Sequence, residues 1–143
     1  VELREHRPVP VIGPHADDDF LLQALPETTA QYGFPVSPAF EPTRWLTEGE
    51  TLKVGSHAFQ VLHIPGHTPG HVVFYCAEAG LLIAGDVLFY ETIGRTDFPR
   101  GNHADLIYNI RTKLFVLPED TRVIAGHGRM TDIGHEKRHN PFF

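Results

Sequence analysis

Cysteine occurs once in the 143 residues, at Cys76, so the chain can close no internal disulfide and can build no cysteine-based zinc finger. Serine is nearly as scarce. Ser37 and Ser56 both lie outside any Gly-x-Ser-x-Gly, which disfavours a serine hydrolase. No apolar run approaches the ~20 residues that a membrane span needs. No P-loop or dinucleotide fingerprint is present. Positive charge is also short: 12 Lys and Arg against 18 Asp and Glu leave −6, which argues against nucleic acid or an anionic membrane as a partner. The lone cysteine and the lack of a leader-like opening point to a reducing, cytoplasmic setting. What the chain does have is histidine, ten of them.

A 16.0 kDa chain has room for one domain. It opens on Val1 rather than Met, in a helical phrase with no capping residue ahead, and reads as a fragment or processed chain. Residues 8–13 suit a short strand flanked by breakers, residues 17–24 a helix, and the proline-rich residues 26–42 a loop. Residues 51–54 and 58–64 read as paired strands across Gly55-Ser56, and residues 72–76 and 81–84 as a second pair. A helix over 104–116, a strand over 122–125 and a helix over 131–138 complete a mixed α/β layer architecture.

Histidine and aspartate recur where the strands end. His67-Thr68-Pro69-Gly70-His71 fills a tight loop between two strands. Asp86 follows Leu81-Leu82-Ile83-Ala84-Gly85, and His127 follows Val123-Ile124-Ala125 inside Gly126-His127-Gly128. Glycine lets the backbone turn sharply there and leaves room for something close by. Neutral imidazole and carboxylate are ligands that zinc and ferrous iron accept, whereas each residue alone reads equally as a hydrogen-bonded core group or a turn former. Three in one setting tilt the balance toward a site.

Taken together, Pro65-Gly66-His67-Thr68-Pro69-Gly70-His71, Leu82-Ile83-Ala84-Gly85-Asp86, Gly94-Arg95-Thr96-Asp97-Phe98-Pro99 and Ala125-Gly126-His127-Gly128 resemble the later motifs of the metallo-β-lactamase superfamily. Within it they are most similar to short bacterial glyoxalase II-like hydrolases, a branch whose ending Glu136-Lys137-Arg138-His139-Asn140-Pro141-Phe142 also resembles. The resemblance implies an α/β/β/α sandwich of which residues 1–143 form the later two-thirds of a single domain. It implies two divalent metals, zinc first with iron or manganese as the other candidates. His71 would bind the first metal, His127 the second, and Asp86 would bridge both. His67 would stand behind, orienting the ligands by hydrogen bonds. A hydroxide bridging the metals would attack a thioester carbonyl, with S-acyl-glutathione-like small molecules as substrates. The superfamily's His-x-His-x-Asp-His, which supplies the remaining ligands, is absent from these residues. By the family layout it would lie about ten residues upstream, so the expectation is truncation, and inactivity of the 143 residues alone.

Gly94-Arg95-Thr96-Asp97-Phe98 is similar as well to iron-dependent persulfide dioxygenases, in which the counterpart of His127 is no ligand. A non-catalytic, degenerate scaffold is the third reading. Arg95 is a candidate for gripping substrate or for pairing with Asp97, and Lys53 is a weaker candidate. His135-Glu136-Lys137-Arg138-His139 matches the zinc-protease His-Glu-x-x-His only formally: Lys and Arg suit a solvated face, and no third ligand follows. Trp45 and Cys76 are expected to be packing residues.

Overall fold

The computed structural model describes residues 2–143; Val1, with which the opening helix was expected to begin, lies outside them. The helices are α1 (Glu2–His6), α2 (Asp19–Gln23), α3 (Leu25–Gln31), α4 (His103–Asn109) and α5 (Ile133–His139). The strands are β1 (Thr51–Val54), β2 (His57–His63), β3 (Val72–Cys76), β4 (Leu81–Gly85), β5 (Leu88–Phe89), β6 (Thr92–Ile93), β7 (Arg122–Ala125) and β8 (Thr131–Asp132). Six of them form one sheet in the order β1-β2-β3-β4-β7-β8, and β5 pairs with β6 in a separate hairpin.

Every pairing in the large sheet is antiparallel except β4 with β7. Register places Tyr75, Leu82 and Val123 in one row and Phe74, Ile83 and Ile124 in the next, so the two rows face opposite ways. The first face is closed by Leu106 of α4, by Ile110 and Leu114 beyond it, and by Ile133 of α5, all fully buried in one cluster with Leu82 and Val123. The second face is apolar yet open at Ile83 and Ile124, 39% and 37% exposed. The described residues thus form a mixed α/β fold with one sheet of the expected sandwich.

Local chemistry explains where the elements depart from the sequence reading. Residues 26–42 are not all loop: α3 carries Pro26 in its first turn, where the missing N–H has no helical partner to lose. The strand expected over 8–13 reduces to one bridge between Ile12 and Arg44. The helix expected over 104–116 begins with Asn102 accepting from the Asp105 N–H (3.0 Å), then widens into a π-helical turn over Ile110–Leu114, closed by Phe115 N–H donating to Ile110 O (2.9 Å). Residues 131–132 are strand, and Asp132 caps α5 by accepting from the His135 N–H (2.7 Å). Cys76 is fully buried and Trp45 half-buried, as packing residues are.

Leu82 is the central row residue between Tyr75 and Val123 and is fully buried. Leu82→Ala should therefore cost about 3 kcal/mol of stability through lost burial and the cavity left behind. Chemical denaturation of the two proteins measures it.

Candidate metal centre

Strands β2 and β4 both pair antiparallel with β3, and β4 is parallel to β7, so β2, β4 and β7 run the same way. Their C-terminal ends therefore share one edge of the sheet. His67 follows β2, Asp86 follows β4 and His127 follows β7. The loop after β2 is tied down by Asp18, a buried carboxylate that accepts from Thr68 Oγ1 and from the Gly70 N–H, each at 2.7 Å. Sequence alone does not single out Asp18, because within the acidic run Asp17-Asp18-Asp19 it reads as surface charge.

The Asp86 carboxylate lies between two imidazoles. His67 Nε2 is 3.8 Å from Oδ2, and His127 Nε2 is 3.7 Å from Oδ1. Both separations are too long for a hydrogen bond and short enough for one ion, with bonds near ~2.0–2.2 Å, to touch both atoms. His67 Nδ1–H donates to the Arg95 carbonyl (2.7 Å), which leaves the Nε2 lone pair directed at Asp86. These donors fit divalent metals, which His67, His127 and Asp86 would hold. His127 is 76% exposed at its side chain and packs its ring on Phe89 at 4.6 Å.

His71 sits elsewhere. Its Nε2 accepts from the Asp86 backbone N–H at 3.2 Å, and its Nδ1 is buried with no hydrogen-bond partner among the described residues. Burial foremost, then the neighbouring His67, push its pKa down to about 4, so the ring is neutral at neutral pH. Gly85, at φ +51°, gives the ring its space: a Cβ there would lie 2.8 Å from it. A Cβ at Gly126 would strike Asp86 Oδ1. The structure thus puts His67 beside the carboxylate and His71 behind the Asp86 main chain, the reverse of the expected arrangement. The two rings are four residues apart in one loop, and spacing alone does not say which enters the interior.

His67, Asp86 and His127 open onto a cavity of about 550 Å³ walled by Phe89, Ile93 and Phe98. Arg95 also lines it, but its guanidinium is held in both prongs by Asp97, at 2.6 and 2.7 Å, and lies 4.3 Å over Phe98. Lys53 is on the edge strand β1 and takes no part in the cavity wall. In the His-Glu-x-x-His segment, Lys137 and Arg138 are exposed, as expected of a solvated face, and so is His139, while Glu136 is fully buried. A separate group, His15, Asp17 and His63, has ligand atoms within 4.8 Å of one another. Its two rings stack in parallel at 4.0 Å, so their lone pairs do not converge, and His63 Nε2–H is spent on the Pro69 carbonyl (2.6 Å).

The family pattern of the metallo-beta-lactamase superfamily matches residues 1–127. Hydroxyacylglutathione hydrolase GloC of Haemophilus influenzae is 50% identical over 143 residues, 99% of this chain and 68% of that protein. Among solved structures, the BLEG-1 B3 metallo-beta-lactamase is 39% identical with a TM-score of 0.85, over 99% of this chain and 68% of that one. TTHA1623, determined in a di-iron-bound form, is 37% identical with a TM-score of 0.86, over 99% and 69%. The chain belongs to the metallo-beta-lactamase superfamily, a family of metallo-hydrolases. It spans about two thirds of the length of these three relatives.

The depressed pKa of His71 sets a pH dependence. Above pH ~6.5 the ring is neutral folded and unfolded alike. As pH falls from there toward 4, the unfolded chain binds a proton that the folded chain refuses, and stability drops by roughly 2–3 kcal/mol. His71→Gln, which can still accept from the Asp86 N–H, should flatten this slope. Urea denaturation of metal-free protein at pH 7 and at pH 4.5 measures it.

Proposed function

We propose that this chain carries the later half-site of a dinuclear metal-dependent hydrolase acting on small thioesters of the S-acyl-glutathione type. The observation that carries the reading is the Asp86 carboxylate with an imidazole Nε2 beside each oxygen, at 3.7 and 3.8 Å. His67 and His127 would each hold one ion and Asp86 would join the two. A divalent metal supplies a Lewis acid for the carbonyl and acidifies a water so that a nucleophile exists near neutral pH.

The chain's own residues do the rest. The Arg95 carbonyl fixes the proton of His67 on Nδ1 and keeps Nε2 free. His71 holds the Asp86 main chain in place from a dry, neutral position. Phe89, Ile93 and Phe98 shed water around the acyl group. In the overall change the C–S bond breaks, a C–O bond forms, and the products are a carboxylate and a thiol. The 50% identity to a hydroxyacylglutathione hydrolase supports this substrate class.

The test is metal content together with turnover of S-lactoylglutathione by the full-length protein. Asp86→Asn should lose metal and at least about a hundredfold in rate, since it strips a donor from both ions. His67→Gln should lose about half the metal, and His71→Gln should keep it. Full metal content in His67→Gln with loss in His71→Gln would return the ligand role to His71. Stoichiometric iron with oxygen uptake on glutathione persulfide would replace the reading by a dioxygenase, and metal-free protein would replace it by a scaffold.

Counting donors gives one more expectation. The present residues offer each ion two protein ligands, and zinc sites use three or four. A 143-residue polypeptide should therefore hold zinc weakly and hydrolyse no thioester. Competition with a chromogenic chelator measures the first, and stoichiometric zinc at neutral pH would mean that other residues here complete the coordination.

A further inference from the structure

Two arginines line the cavity, and they are not equivalent. Arg95 is neutralised by Asp97. Arg129 lies 4.0 Å over the Tyr90 ring at the cavity wall, next to His127 and Gly128, and has no acidic partner among the described residues. A guanidinium poised this way offers a planar, bidentate donor fork to a carboxylate. The chain as a whole is acidic, at −6, so an anionic ligand gains no long-range attraction and depends on a local cation.

Tyr90 is itself braced from behind. Its ring stacks on His135 of α5, with centroids 5.1 Å apart and planes 17° apart, and His135 Nε2 is 3.0 Å from Glu91 Oε1. The fully buried Glu136 accepts from the Glu91 backbone N–H (2.8 Å) and from Asn140 Nδ2 (2.9 Å), and that same amide donates to the Thr92 carbonyl (3.1 Å). Glu91 takes a positive φ of 54° at this turn. The final helix therefore fixes the β5–β6 turn that carries Tyr90, and Tyr90 pre-positions Arg129. Less side-chain entropy is then lost on binding.

We infer that Arg129, seated on Tyr90, binds a carboxylate on the thiol portion of the substrate at the cavity wall. The site thereby selects acidic acyl-thiols over neutral ones. The inference rests on the thioesterase reading, and its test is a binding measurement that does not need turnover. The probe is S-hexylglutathione, a thioether that cannot be hydrolysed, beside its diester, which keeps the ammonium and lacks both carboxylates, titrated calorimetrically into the full-length, metal-loaded protein at low salt. Wild type should prefer the acid, and Arg129→Gln should weaken acid binding by about five- to tenfold without weakening the diester. Arg129→Lys should recover part of the loss. Equal affinities in wild type, or an undiminished preference in Arg129→Gln, would overturn the inference. A protein that shows the Arg129-dependent preference and hydrolyses no thioester would keep it and sink the thioesterase reading instead.

Discussion

Everything at the candidate centre depends on one parallel pairing, β4 against β7, in a sheet that is otherwise antiparallel. Had β7 entered in the other direction, Asp86 and His127 would leave the sheet at opposite edges. With this pairing, the ends of β2, β4 and β7 coincide, and three residues distant in sequence face one cavity. The chain needs the long crossover from residue 86 to 121 to achieve it, because a parallel partner cannot be reached through a tight turn. That crossover is put to use: it contains the β5–β6 hairpin and the Gly94–Phe98 segment that wall the cavity, and α4, which closes the core on the sheet's buried face.

The two histidines of the Pro-Gly-His-Thr-Pro-Gly-His loop show how environment divides one residue type between two tasks. His67 has one nitrogen pinned to a carbonyl and the other turned to a carboxylate across a gap. His71 is immersed among buried atoms, where desolvation keeps it uncharged and its remaining acceptor capacity is used on a backbone amide. A protonated ring at position 71 could not accept from the Asp86 N–H.

Much of this was legible in the sequence. Gly-Asp after one apolar run and Gly-His-Gly after another announced polar groups delivered at strand ends, and both hairpins of β1 to β4 could be read from their turns. Choosing between His67 and His71 was not legible, because both are flanked by proline and glycine and only tertiary burial separates them. The β5 and β6 strands, two residues each, are too short to show a period. Glu136 escaped for a different reason: charged neighbours masked a buried stripe of Ile133, Glu136 and Asn140, spaced three and four apart as one helical face requires. A helical projection of residues 133–140 carries that signal.

The proton on His67 is placed by a main-chain carbonyl, that of residue 95, and not by a side chain. Main-chain groups are common to all residue types, so this arrangement survives any replacement at position 95 that keeps the local backbone. The side chain there is consequently released from placing that proton, and its pairing with Asp97 can change without moving it. Placement of the His67 proton and the make-up of the cavity wall, although they meet at one residue, are written in separate parts of it and are free to evolve at different rates.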